Sequence, residues 1–276
     1  MTSSRTTLGP RSLRRADLRF GGRLAAAGAA FAVAAVPAAL LLVLVEAHWG
    51  PLHTVDQQAA LRLHTVVRAR PELLAVVRLL SDLVWAPLTF RLLVAFTVAG
   101  LLARRAWRLA LWAAATETAA GLIGLLLKVS VARVRPHLPY PVATAPGYSF
   151  PSGHAMTAAA SCAILLLVLL PAVQRRLRPV AWCSAVVSVV GVGLTRVALG
   201  VHWVSDVLGG WLLGLALVAA TAWAFEAWRG EIGRPAAPVT EGLEPEVAEP
   251  AGRAPEPPLG AGARTAPRAG TGSGPQ

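Results

Sequence analysis

Six long apolar runs constrain this chain more than any other feature: Leu24–Val45, Ala86–Leu102, Trp107–Leu127, His154–Leu170, Val180–Leu194 and Val207–Trp228. Each is about the length that crosses a hydrocarbon core of ~30 Å as a helix. A backbone in lipid must satisfy its own hydrogen bonds, which leaves helices as the spanning element for runs of this kind. The predicted fold class is therefore all-α, a polytopic membrane protein with six transmembrane helices in one bundle. A chain of 276 residues that is 55% hydrophobic and 14% charged, with mean hydropathy +0.57, is too apolar for an ordinary soluble domain. A cleaved signal peptide would carry an apolar region of about 7 to 15 residues, shorter than the first run.

The net charge of +12 invites a nucleic-acid partner, but its distribution excludes that class. Most arginines lie in short stretches between apolar runs, where they set orientation. With both tails inside, the inner segments hold 17 arginines and the outer side nine basic residues. That bias predicts cytoplasmic termini and a site on the outer face of the cell membrane. Residues 1–23 read as a basic cytoplasmic tail, 24–228 as the six-span core, and 229–276 as a disordered cytoplasmic tail, the last on its Pro, Ala, Gly and Glu content. Between the first two spans, Val55–Val67 and Leu73–Leu83 have helical apolar spacing with interleaved arginines, as expected of helices lying on the outer surface. Cys162 and Cys183 fall inside apolar runs and read as packing residues. Glu117 interrupts the third run and must face protein or water.

Three polar clusters sit at the outer ends of spans. The first runs from Lys128 through Arg133 and Arg135 to Pro136, the second is Pro151-Ser152-Gly153-His154, and the third holds Thr195-Arg196, His202 and Asp206. Lys128 is the only lysine beside 25 arginines. On a continuous helix Lys128 and Arg135 would share a face, about two turns apart, with Pro136 ending it. Arg133 points elsewhere on that helix and could simply mark the membrane boundary. Cations at this depth call for an anion, and guanidinium forks match phosphate oxygens. Ser152 and Gly153 precede an apolar run, where a helix N-terminus offers free N–H groups to the same anion. His202 and Asp206 are four apart, so on a helical turn the carboxylate can hold Nδ1–H and leave the Nε2 lone pair free as a nucleophile. His154 is placed to act as a separate acid and base.

Taken in order, KxxxxxxRP at Lys128–Pro136, PSGH at Pro151–His154 and RxxxxxHxxxD at Arg196–Asp206 resemble the three signature motifs of the type 2 phosphatidic acid phosphatase superfamily. The third motif of that family usually begins with Ser, where this chain has Thr195. The resemblance covers roughly Leu24–Trp228 and implies a phosphatase acting on a lipid phosphate or diphosphate in the bilayer. It implies that Lys128, Arg135, Arg196, Ser152 and Gly153 hold the phosphate, that His202 attacks phosphorus, that Asp206 orients His202 and that His154 protonates the leaving oxygen. No metal or other cofactor is implied, since fixed cations stand where Mg²⁺ acts elsewhere.

Three other classes remain to be weighed. A zinc hydrolase would use His154, His202 and Asp206 as ligands, but there is no HExxH helix and the neighbouring cations repel a divalent ion. An intramembrane serine protease would need Gly two residues before the Ser, where Phe150 stands, and has no use for the cations. A catalytically inactive lipid-phosphate binding or transport protein would not need both histidines and the aspartate.

Overall fold

The computed structural model describes residues 29–231 and 241–243. Among the described residues eight α-helices from Val36 onward carry the fold, and there is no strand. They are α1 (Val36–Glu46), α2 (Gly50–Arg68), α3 (Pro71–Leu79), α4 (Pro87–Ala103), α5 (Trp107–Val131), α6 (Gly153–Leu169), α7 (Arg178–Ala198) and α8 (Val204–Glu231). The chain is an all-α polytopic membrane protein. Among the described residues five stretches are long and apolar enough to span, and the bent pair α1 and α2 brings the total to as many as six.

Helix α6 is the axis of the bundle. Its apolar window is 67% buried, more than that of any other span, and α4, α5, α7 and α8 all pack on it. Small residues make this possible: Ala155, Ala158, Ala159, Ala160 and Ser161 line its buried surface. Opposite them, α8 presents Gly210 and Gly214, where a Cβ would come within 2.7 Å of Ser152 O and 2.8 Å of Met156 O. Such close backbone approach, rather than hydrophobic transfer, holds helices together in lipid. Leu92, Phe96, Leu111, Leu122, Leu126 and Val187 point outward from the bundle, as lipid-facing residues should.

Within the first predicted span, 29–45 is described and is almost wholly helical, while 24–28 lies outside the described residues. Helix α1 ends at Glu46, and α2 leaves it at 90° through His48, whose φ is +50°, and Pro51 at the start of α2. The two expected surface helices become α2 and α3, the second prolonged by a π-helical turn over Leu80–Val84. Asp56, Ala60, His64 and Val67 form the buried stripe of α2, spaced four, four and three residues apart. Of the predicted tails, 1–23 lies outside the described residues, as does most of 229–276. Leu243, by contrast, is buried and donates its N–H to Leu167 O at 2.6 Å.

Candidate active site

Helix α5 stops earlier than Pro136 requires. Ala132 turns left-handed at φ +49°, its N–H returning to Lys128 O, and residues 133–136 run without helix. Lys128 and Arg135 are therefore not neighbours on one helix face. They converge because both side chains reach the loop that leads to α6. Lys128 Nζ donates to Tyr148 O at 2.7 Å and Pro151 O at 3.2 Å. Arg135 donates to Gly147 O, Pro146 O and Val201 O at 2.9, 3.0 and 2.7 Å. Both cations thus hold the loop before Ser152, and Arg135 also ties it to the turn before α8.

Ser152 caps α6, with its Oγ facing the N–H of Ala155 at 3.5 Å, and is fully buried. Its own N–H donates to Asp206 O at 2.9 Å, a backbone link between the second and third motifs. Gly153 opens the helix, and no heavy atom lies within 4 Å of where a Cβ would stand. Gly153 lines a cavity together with Lys128 and Arg91, at the helix end where an anion is favoured. On the other side, His154 and Arg196 line a cleft of about 520 Å³ together with Arg78, Asp82, Thr144 and Pro146.

Arg196, in the last turn of α7, is 6% exposed. Nη1 donates to Ser81 Oγ at 2.9 Å and lies 3.8 Å from Asp82 Oδ1, while Nε is buried without a partner. A buried guanidinium N–H left unpaired is costly, and an anion in the cleft would relieve it. Ser81 and Asp82 were not singled out in the sequence; they lie in the π-helical turn, which periodicity does not announce.

His202 precedes α8, which begins at Val204, so the pair with Asp206 forms across a helix start rather than within a turn. Nδ1 is 3.3 Å from Asp206 Oδ2, the oxygen that also accepts the Trp203 N–H at 2.8 Å. On the far side of the ring, Arg135 Nη1 lies 3.1 Å from Nε2. A guanidinium only donates, so Nε2 accepts and the imidazole proton sits on Nδ1. Burial pushes His202 down from 6.5 to about 4, against the pull of Asp206 and with help from Arg135 and Arg196. The ring is neutral at pH 7, with a lone pair on Nε2. Burial also lowers Arg135, opposed by Asp206.

Arg133 takes no place in this cradle. It turns away to Asp206 Oδ1 at 2.6 Å, Ser205 Oγ at 2.7 Å and Asp56 Oδ2 at 2.8 Å. Asp56, like Ser81 and Asp82, is a residue that sequence reasoning missed; the available signal was a lone acid in register with Ala60 and His64 on α2. Among the described residues, no three His, Cys, Asp or Glu side chains are grouped to hold a metal.

Residues 106–229, from α5 through α8, match the model of the PAP2 superfamily. Over that stretch the chain is similar to the PAP2 superfamily. The resemblance drawn from the three motifs is thereby borne out. Phosphatidylglycerophosphatase B of Bacillus subtilis is 41% identical over 99 residues, covering 35% of this chain and 48% of that protein. An undecaprenyl-diphosphatase of Sulfolobus acidocaldarius is 31% identical over 140 residues, covering 48% of this chain and 59% of that protein. The chain thus spans about half the length of the curated relatives it matches. The crystal structure of a transmembrane PAP2-type phosphatidylglycerolphosphate phosphatase from Bacillus subtilis superposes with a TM-score of 0.63 at 26% identity, covering 74% of this chain and 98% of that one. The PAP2 match begins at residue 106, so Asp56, Ser81 and Asp82 lie outside it.

Proposed function

We propose that this protein is a metal-independent phosphatase of a membrane lipid phosphate or diphosphate, with its site on the outer face of the cell membrane. The observation that carries it is the placement of His202, with Nδ1 3.3 Å from Asp206 Oδ2 and Nε2 3.1 Å from Arg135 Nη1, which favours a proton on Nδ1 and a lone pair on Nε2. Lys128, Arg135, Arg196, Ser152 and the Gly153 N–H would take the phosphate oxygens, Arg135 exchanging its contact with Nε2 for one with phosphate. Nε2 then attacks phosphorus. The N–P bond forms as the P–O bond to the lipid breaks, and His154 gives its proton to the leaving oxygen. Asp206 balances the positive charge that develops on the ring. In the second step His154 accepts a proton from water, the water oxygen attacks phosphorus, the N–P bond breaks, and inorganic phosphate leaves with His202 restored.

The names of the relatives support a terminal phosphate on a lipid, and the arginine bias supports the outward site. Purified protein should release phosphate from phosphatidate, phosphatidylglycerol phosphate or a polyprenyl diphosphate, undiminished by EDTA. No release from any of them, or release that EDTA abolishes and Mg²⁺ restores, would overturn this reading.

A further inference from the structure

Asp56 belongs to α2, outside the matched PAP2 region, and is 0% exposed. Both of its oxygens are engaged: Oδ1 accepts the Ser205 N–H at 2.9 Å, and Oδ2 accepts the Ser205 hydroxyl and Arg133 Nη2. The other arm of the same guanidinium reaches Asp206 Oδ1 at 2.6 Å, and Asp206 Oδ2 faces His202 Nδ1. Asp56, Arg133, Asp206 and His202 therefore make one chain of charge-assisted hydrogen bonds that ends at Nε2, buried except at Arg133, whose side chain is 15% exposed.

We propose that Asp56 is a positioning residue for the reaction: through Arg133 it keeps Asp206 a full-strength acceptor for His202. The proposal rests on His202 being the attacking group. Its physical content is charge balance. Asp56 and Asp206 carry two negative charges and Arg133 one positive, so the cluster presents a net negative charge to the ring. Without Asp56, Arg133 and Asp206 would cancel, leaving the ring under the net influence of Arg135, Arg196 and His154. A phosphorylated imidazole protonated on Nδ1 would then meet an Asp206 whose charge Arg133 already offsets, and would be less well stabilised. Arg133 is shared between two carboxylates, and a fork held by both is also a fixed fork.

A merely structural role is the competing explanation, since Asp56 also ties α2 to the start of α8. The two are separated by the state of the ring. In full-length protein labelled with ¹⁵N-histidine, the His202 signal is identified by its absence in His202→Gln and reports which nitrogen is protonated. Asp56→Asn is expected to lower kcat about tenfold or more with KM little changed, and to raise the fraction of ring protonated on Nε2. The double variant Asp56→Asn with Arg133→Gln restores the net negative charge and should return the ring to Nδ1 protonation with part of kcat.

Wild-type kcat in Asp56→Asn, or a loss of kcat that leaves the His202 signal unchanged, would overturn the proposal. Should Asp56→Asn fail to fold, the double variant decides: its ring must be protonated on Nδ1, and Nε2 protonation overturns the proposal. His202→Ala separates this from the reading beneath it. Turnover in that variant would sink the attacking role of His202, whereas a dead His202→Ala beside an unimpaired Asp56→Asn would sink only the role of Asp56.

Discussion

Arg135 and His202 are linked by a contact of 3.1 Å between Nη1 and Nε2, so the residue that would bind phosphate also covers the nitrogen that would attack it. The contact acts with Asp206 to favour the Nδ1-protonated tautomer, and a phosphate drawing the guanidinium toward itself uncovers the lone pair. Binding and activation are then one movement.

The neutral state of His202 has a consequence for stability. Burial holds its pKa at about 4 in the folded protein against 6.5 for an ordinary histidine. Between those values the unfolded chain binds a proton that the folded chain does not, so stability is full above about 6.5 and is lost as pH falls toward 4. Thermal unfolding of the detergent-solubilised protein should show Tm dropping across that window, with a shallower slope in His202→Gln. Equal slopes would mean that His202 is not held neutral.

Lys128→Arg keeps the charge but should be harmful. Nζ fits between Tyr148 O and Pro151 O, and a larger planar fork would push apart the loop that seats Ser152. Losing one positioned charged donor costs roughly 3 kcal/mol, about a hundredfold in kcat. Wild-type kcat in this variant would remove Lys128 from the site.

Much of this was legible in the sequence because spans and motifs depend on local pattern. Lys128, Ser152, His154, Arg196, His202 and Asp206 all come to the same end of the bundle, as the run boundaries required. What failed was the geometry between motifs. An uninterrupted helix from Lys128 to Arg135 was a fair inference from Pro136, but a left-handed Ala132 ended it sooner, and no residue preference marks an alanine for that conformation. Arg133 and Asp56 were illegible for another reason: their partners lie 73 and 149 residues away in sequence, and a long-range contact leaves no periodic trace.

Orientation can be checked from outside the cell. Tyr140 is exposed at the site end of the bundle and Gln174 stands in the turn beyond the opposite end of α6. A cysteine introduced at Tyr140 should react with an impermeant thiol reagent in intact cells, and one at Gln174 should not. The reverse pattern would place the site inside.

The two histidines should respond differently to the leaving group. A lipid alkoxide needs the proton of His154, whereas p-nitrophenolate leaves as a stable anion. In single-turnover measurements, His154→Ala should lose far more of its first-step rate on a lipid phosphate monoester than on p-nitrophenyl phosphate. An equal loss on both would assign His154 to holding phosphate.

The covalent step itself is read most directly by stereochemistry. A lipid thiophosphate made chiral with ¹⁶O and ¹⁸O, hydrolysed in H₂¹⁷O, yields inorganic thiophosphate whose configuration counts the displacements at phosphorus. Attack by His202 followed by attack of water is two in-line displacements, so the product should show retention. Inversion would mean that water attacks phosphorus directly and that no phosphohistidine forms on His202.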